Sequence, residues 1–268
     1  MKQKYLYQYF FKSALHSFLF WLFAFVVVVE FIAPFLLNLD QLLDLSQKSD
    51  AVMIERNILE NLNLSLYVLG FFLGPALGIL AGRMLIKKES EALLALNISR
   101  GEFFVGSFLF HGCLLASIWL VFVLFYLLVA YIFKQPINAE MILKLILSIF
   151  GILLPFLWIG FFSANTKPIA AILLYLIIFL IIPNFGSVEL SSAASSQKAV
   201  SFFARLASII VPQTQPFQLA ASPFSRLGPA TMNLTNWKWL AYGILWSAFL
   251  LLSGFLIFRK KDLTDPHS

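Results

Sequence analysis

The chain has 268 residues, of which 60% are hydrophobic and only 12% are charged, with a formal net charge of +6 at pH 7. Soluble domains average about 45–50% apolar and about 25% charged residues, so this composition excludes an ordinary soluble domain and predicts a polytopic membrane protein. The basic residues lie at the edges of apolar runs and form no patch with interleaved aromatic residues. Membrane topology therefore explains the charge better than binding to nucleic acid does, and membrane lipid is an expected partner.

Apolar runs close to the roughly 20 residues that cross the hydrocarbon of a bilayer recur along the chain. They predict six transmembrane helices in one all-α domain over residues 1–268, near 18–37, 62–85, 103–133, 141–162, 168–182 and 237–258. The fifth run is short for a full crossing, and if it does not cross, the C-terminus lies on the other side. The first run is too long for a signal peptide and has no small-x-small cleavage site, so we interpret it as an uncleaved first span.

The distribution of basic residues predicts the orientation. If the N-terminus is inside, the cytoplasmic segments contain 11 of the 19 Lys and Arg residues, and the outer segments spread the other 8 over more residues. Cytoplasmic loops are enriched in Lys and Arg, so both termini are predicted to lie in the cytoplasm and the protein in the cytoplasmic membrane.

The longest outer segment, residues 183–236, separates the fifth and sixth spans. Its stretch "KAVSFFARLASIIVP" repeats large apolar residues at helical spacing, which favours a helix lying in the outer membrane interface. The Pro-rich and Gln-rich stretch that follows predicts irregular structure or short helical turns. An extracytoplasmic interfacial region is therefore expected at this position.

Three features inside the predicted spans are candidates for function. Gly70, Gly74, Gly78 and Gly82 recur every four residues, so they share one helix face and allow another helix to approach closely. The alternatives are packing within the subunit and a moving or dimer-forming contact. Glu30 lies in the first span, where an acidic side chain is costly unless it is paired or hydrated. Either a role in a substrate path or subunit interface, or a structural hydrogen bond or a span that starts later in the sequence, fits this position. His111 in the third span is more typical of a helix-to-helix hydrogen bond than of a ligand.

Motifs for enzymatic chemistry are absent from these 268 residues. The sequence contains no G-x-x-x-x-G-K-[ST] phosphate loop, no H-E-x-x-H and no G-x-S-x-G. With three His residues in the chain, a histidine-rich metal site is not expected either. We therefore expect that the chain by itself is not an enzyme and holds no cofactor.

The segment "KKESEALLALNISRGEFF", from Lys87 to Phe104, is unusually polar and regular for a link between two spans. A polar start leads into strong helix formers, and Asn97 and Gly101 are typical stop signals. Ser99 with Glu102 three residues later forms an S-x-x-E capping box for the next helix. The pattern predicts a cytoplasmic helix of two to three turns, followed by a sharp corner into the third span.

This segment resembles the corresponding link in ABC-2-type transporter permeases. There, an acidic residue precedes a Leu-rich helix, and the pattern P-[IVL]-S-R and a Gly or Lys in the next span follow. In this chain Asn97 replaces the proline, while Ile98, Ser99, Arg100 and Gly101 match, and the ending "FLIFRKKDL" resembles the family's F-x-R-[RK]-D-L. The N-terminal "YLYQYFFKSALHSF" departs from the charged K-E-[LF]-R helix usual in the family.

The resemblance implies a membrane-spanning subunit of an ABC transporter, paired with a second permease subunit in a homodimer or heterodimer. A separate ABC ATPase subunit would bind ATP and Mg, and residues 88–98 would be the coupling helix that docks on it. The residues implied in docking are Lys88, Glu89, Glu91, Leu93, Leu94, Leu96, Asn97 and Arg100. Such a transporter is expected to be an exporter.

Two other functions remain open at this point. The ATPase could instead drive a conformational change that is passed to an extracytoplasmic protein bound at residues 184–236, without transport of a cargo. A channel or secondary transporter without an ATPase is the third reading, and Glu30 would then be its intramembrane ionisable residue.

Overall fold

A computed structural model of the chain describes a bundle of helices. It describes residues 2–18, 20–22, 24–25, 28–29, 43, 58, 61–62, 64–66, 68–85, 99–134, 139–166, 168–176 and 237–260, and no strand occurs among them. The helices are α1 Lys2–Leu15, α2 Gly74–Met84, α3 Arg100–Ile132, α4 Ala139–Asn165, α5 Pro168–Leu176 and α6 Trp237–Lys260. A π-helical turn, Leu69–Leu73, leads directly into α2. The predicted all-α class is confirmed over these residues.

Within the described part of the chain, four helical stretches are long and apolar enough to cross a bilayer: Leu64–Arg83, Gly101–Ile132, Leu145–Asn165 and Leu240–Phe258. The chain is thus a multi-pass membrane protein. The predicted spans near 18–37 and 168–182 lie partly outside the described residues, and the predicted outer segment 183–236 lies entirely outside them. The six-span topology therefore stays a prediction.

The helix that contains α2 is the central one. In the most apolar 18-residue window of Leu64–Arg83, 76% is buried within the chain, whereas only 17% of the corresponding window of Leu240–Phe258 is buried. Leu69, Leu73 and Leu77 are completely inaccessible to solvent. They pack in one apolar core with residues of α3 and α4, including Phe108 and Phe156.

The outward faces of α3 and α6 are apolar along their length. On α6 the exposed large side chains recur at helical spacing at Leu245, Phe249, Leu252 and Leu256. A soluble protein could not leave such a stripe in water, but in a bilayer these side chains contact lipid tails. The exposed stripes therefore agree with the spanning assignment of these two helices.

A separate helix precedes the first apolar run. α1 ends at Leu15, and after a turn at His16 the chain becomes helical again from Phe18. The Trp21 indole Nε1 donates a hydrogen bond to the Leu15 carbonyl oxygen at 2.6 Å, which satisfies one of the carbonyls left open at the end of α1. This interruption was not predicted from the sequence.

Candidate functional site

The candidate site is the junction between α2 and α3, where residues 86–98, here called the connector, join the two helices. The predicted docking residues Lys88, Glu89, Glu91, Leu93, Leu94, Leu96 and Asn97 belong to the connector and lie outside the described residues. Arg100 starts α3, and its side chain also lies outside them. The structure describes the residues that flank the connector, Leu85 and Ser99, and the end of the bundle they define is called the connector end.

Ser99 begins α3 as the sequence predicts. Its Oγ accepts a hydrogen bond from the Glu102 backbone N–H at 3.2 Å, and the Glu102 carboxylate accepts one from the Ser99 backbone N–H at 2.8 Å. The predicted capping box is therefore confirmed. It fixes the point at which the connector ends and α3 begins.

Leu85 closes α2 at the other side of the connector. Its side chain is fully buried, and its backbone N–H donates to the Gly82 carbonyl oxygen at 3.2 Å. Arg83, two residues earlier, is exposed. The chain thus enters the connector from a residue anchored in the core.

Hydroxyl groups join α2 to its neighbours near the connector end. Ser107 Oγ on α3 donates to the Ala81 carbonyl oxygen at 3.0 Å, so the two helices that flank the connector are hydrogen bonded to each other. Ser163 Oγ on α4 lies within hydrogen-bond distance of the Gly78 carbonyl oxygen at 3.3 Å and of the Gly160 carbonyl oxygen at 3.1 Å. Such bonds hold helices together in a medium that offers no competing water.

The four glycines at four-residue spacing face α4 of the same chain. A methyl group added at Gly70 would lie 3.1 Å from the Gly151 carbonyl oxygen, and one at Gly74 would lie 3.2 Å from the Ile152 carbonyl oxygen. At Gly78 the added methyl would overlap the Phe156 carbonyl oxygen, and at Gly82 it would overlap Ser163 Oγ. Contact between α2 and α4 is thus closest toward the connector.

The π-helical turn Leu69–Leu73 and Pro75, in the first turn of α2, change the regular hydrogen bonding of the central helix. Pro75 has no backbone N–H, so it cannot donate to the carbonyl oxygen of Phe71, four residues earlier. The Tyr175 hydroxyl of α5 donates to that oxygen at 3.1 Å. α5 is thereby tied to the central helix at the position where its regular hydrogen bonding changes.

An aromatic cluster surrounds the start of α3 and draws in α1 and α6. Phe10 of α1 lies with its ring centroid 5.4 Å from that of Phe103, and Phe258 of α6 lies 5.7 Å from Phe104. All four side chains are almost completely buried. Any displacement of the start of α3 must therefore move, or repack against, both neighbouring helices.

His111 is buried one turn beyond Ser107 on α3. Its Nδ1 lies 2.8 Å from the Ser107 carbonyl oxygen, and because that oxygen can only accept, Nδ1 is the protonated nitrogen. The other nitrogen, Nε2, has no hydrogen-bond partner among the described residues. The other intramembrane candidate, Glu30, lies outside them. No group of three potential metal-ligating side chains occurs in the part of the chain that was searched.

Sequence reasoning missed the hydroxyl bonds of Ser107, Ser163 and Tyr175. The available signal was the presence of hydroxyl side chains inside strongly apolar helices, where they commonly bond to a neighbouring backbone. Their partners lie 26, 85 and 104 residues away along the chain, so the pairs themselves could not be read from local pattern.

Comparison with known proteins agrees with these observations. The family model described as "ABC-2 family transporter protein" matches residues 10–263, which include every helix of the junction. No curated protein and no solved structure matches the chain.

Proposed function

Because the chain belongs to the ABC-2 family of transporter proteins and is a membrane permease subunit of an ABC transporter, we propose that a separate ATPase subunit drives it by docking on the connector. The 268 residues contain no phosphate-binding loop. ATP and Mg are therefore assigned to the partner. The permease itself contributes movement and a path, and no catalytic step.

The family match carries the assignment of an ATPase partner, and the structural observation that supports the connector as its docking point is the hydrogen bond from Ser107 to Ala81. These residues lie on the two helices that enter and leave the connector, and the bond joins them at 3.0 Å. A force applied to the connector would act on two helices that this bond and their shared apolar core hold together. An unstructured loop between unlinked helices would absorb the same force without passing it on.

The close contact of α2 with α4 extends the moving unit. Near the connector, Gly78 and Gly82 let the backbones approach so closely that no side chain could be inserted. Cores packed in this way shift between discrete arrangements and do not deform continuously. We expect the binding of ATP to bias such an equilibrium by holding the docked connector in one of two positions.

The docking chemistry follows from the sequence of the connector. Leu93, Leu94 and Leu96 would fill an apolar groove of the ATPase, because removing apolar surface from water is the dominant favourable term in most protein–protein association. Glu89, Glu91 and Arg100 would form charged contacts at its rim, where they affect specificity more than affinity.

The complete transporter is proposed to contain two permease subunits in the cytoplasmic membrane, with the connector end in the cytoplasm and a substrate exported between them. The basic residues Lys12, Arg83 and Lys260 support this orientation, since they belong to helix ends that meet at the connector end.

Purification of the tagged full-length protein from its own membranes in mild detergent tests the proposal. Co-purifying proteins are identified by mass spectrometry, and ATP hydrolysis is assayed in the same sample. The variant Leu94→Ala with Glu91→Gln removes one apolar anchor and one charge from the connector. The control, Leu128→Ala with Lys134→Gln, also removes one leucine side chain and one charge, here a positive one, toward the opposite end of α3, where both side chains are exposed.

An ATPase subunit that accompanies the parent and control proteins but is depleted from the connector variant would support docking. An ATPase retained equally by all three proteins would contradict the docking assignment. An extracytoplasmic protein found in the same complex would favour transmission of movement over export. The absence of any ATPase would overturn the proposal and favour transport without ATP.

A further inference from the structure

We propose that α1 is a docking surface for anionic phospholipid headgroups at the connector end of the bundle. The first 29 residues contain Lys2, Lys4 and Lys12 and no Asp or Glu. The inference is independent of ATPase docking, because it concerns lipid and a helix that precedes the first apolar run.

α1 lies at the depth where headgroups are found. α3 has 33 residues, which corresponds to a length of about 50 Å at 1.5 Å per residue. The hydrocarbon layer is about 30 Å thick, so the ends of α3 extend into the headgroup regions. Phe10 of α1 packs against Phe103 in the first turn of α3 and against Phe110 two turns further on, with ring centroids 5.4 and 6.0 Å away. The buried side of α1 therefore meets α3 at the boundary between the headgroups and the hydrocarbon.

The surface of α1 has a buried strip, an exposed aromatic strip and an exposed polar strip, as expected of a helix in the membrane interface. Phe10 and Ala14 are buried against the bundle. Next to them at helical spacing are Tyr7 and Phe11, which are 41% and 52% exposed and suited to the acyl boundary. The polar side chains of Gln8, Lys12 and, just beyond α1, His16 are exposed at four-residue spacing and form the next strip of the surface.

The end of α1 is also held as an interfacial element. The Trp21 indole is 56% exposed, and its N–H donates to the Leu15 carbonyl oxygen at 2.6 Å. Tryptophan is enriched at the membrane surface because its ring is apolar and its N–H is polar. A cationic helix at this position, without acidic residues to neutralise it, matches the negative surface potential of anionic lipid.

The test compares the full-length chain in nanodiscs of phosphatidylcholine with the same chain in an equal mixture of phosphatidylcholine and phosphatidylglycerol. The measured quantity is the difference in thermal unfolding midpoint between the two lipids. We expect the midpoint to be higher in the anionic mixture. Lys12→Gln should reduce this difference by about a third, since α1 has two further lysines. Lys12→Arg should preserve the difference, and high salt should abolish it.

Lys134→Gln is the matched control, since Lys134 is an exposed lysine just beyond the opposite end of α3. Lys12 lies in the last turn of α1, where a cation also stabilises the helix itself. That contribution is present in both lipids and cancels in the difference. An equal lipid dependence in the parent, Lys12→Gln and Lys134→Gln proteins, or no lipid dependence in the parent, would overturn the proposal.

Discussion

The Tyr175 hydroxyl donates a hydrogen bond to the Phe71 carbonyl oxygen at 3.1 Å. Phe71 lies four residues before Pro75, which has no N–H to donate to that oxygen. The two residues lie 104 positions apart in the chain. The bond ties short helix α5 to the central helix, beside a π-helical turn of a kind that often occurs at functional positions. The carbonyl oxygen that Pro75 leaves without its usual donor thus accepts a hydrogen bond from α5.

Removal of this hydroxyl should destabilise the protein modestly. We expect Tyr175→Phe to lower the free energy of unfolding by about 1 kcal/mol, the usual net contribution of one hydrogen bond. In a Pro75→Ala background, where residue 75 regains its N–H, the same substitution should cost less. Thermal unfolding in detergent measures both effects. Tyr131→Phe, which removes the hydroxyl of an exposed tyrosine on α3, is the control and should have little effect.

Substitution of the four glycines on the central helix should have graded effects. A methyl group at Gly78 or Gly82 would overlap α4, so Gly78→Ala and Gly82→Ala should each cost about 1–3 kcal/mol, as overpacked sites do. Gly70→Ala and Gly74→Ala need smaller adjustments and should cost less.

Gly112→Ala is the matched control for this series. A methyl group there would lie 3.6 Å from the Phe156 ring, an ordinary contact. Replacing a helical glycine by alanine at such a site should be neutral or stabilising, because the unfolded chain loses conformational freedom. If all five substitutions had the same effect on the unfolding midpoint, the described contact between α2 and α4 would be wrong.

Loss of the capping box should weaken the start of α3. Ser99→Ala removes the acceptor for the Glu102 N–H and should cost about 0.5–2 kcal/mol. Ser99→Thr keeps an acceptor oxygen and should retain most of the stability.

Ser117→Ala controls for the loss of a serine within the same helix, since Ser117 Oγ bonds to the Cys113 carbonyl oxygen in the middle of α3. If the junction transmits movement, Ser99→Ala should also lower transport-coupled ATP hydrolysis more than Ser117→Ala does. Equal losses of hydrolysis in the two variants would argue that the start of α3 has no special part in coupling.

Local pattern predicted the parts of this fold that depend on neighbours in sequence. The capping box of Ser99 and Glu102 and the common face of the glycines follow from spacing alone. The helix that meets the glycines could not be predicted, because α4 lies about 80 residues further along the chain and any helix with an accommodating face would fit. The hydroxyl bond of Tyr175 depends in the same way on tertiary contact.

The interruption after α1 had no sequence signal of the usual kind. No Gly or Pro occurs between Met1 and Glu30, so the N-terminal region reads as continuous with the first span. In the structure the Trp21 side chain bonds to the Leu15 carbonyl oxygen and stabilises the break. Helix propensity and hydrophobic periodicity do not predict that a side chain six positions later caps the end of a helix.

The most direct test of the central claim is a crosslink between the connector and the ATPase subunit. Because Cys113 is the only cysteine, a Cys113→Ser background allows one thiol to be placed at a time. One variant, Leu94→Cys, has its thiol in the connector, and the other, Lys134→Cys, has it just beyond the opposite end of α3. Both are treated in membranes with a reagent that joins thiols to amines. We predict a product with the ATPase from Leu94→Cys and none from Lys134→Cys. Equal products from both positions, or a product from Lys134→Cys alone, would contradict docking on the connector.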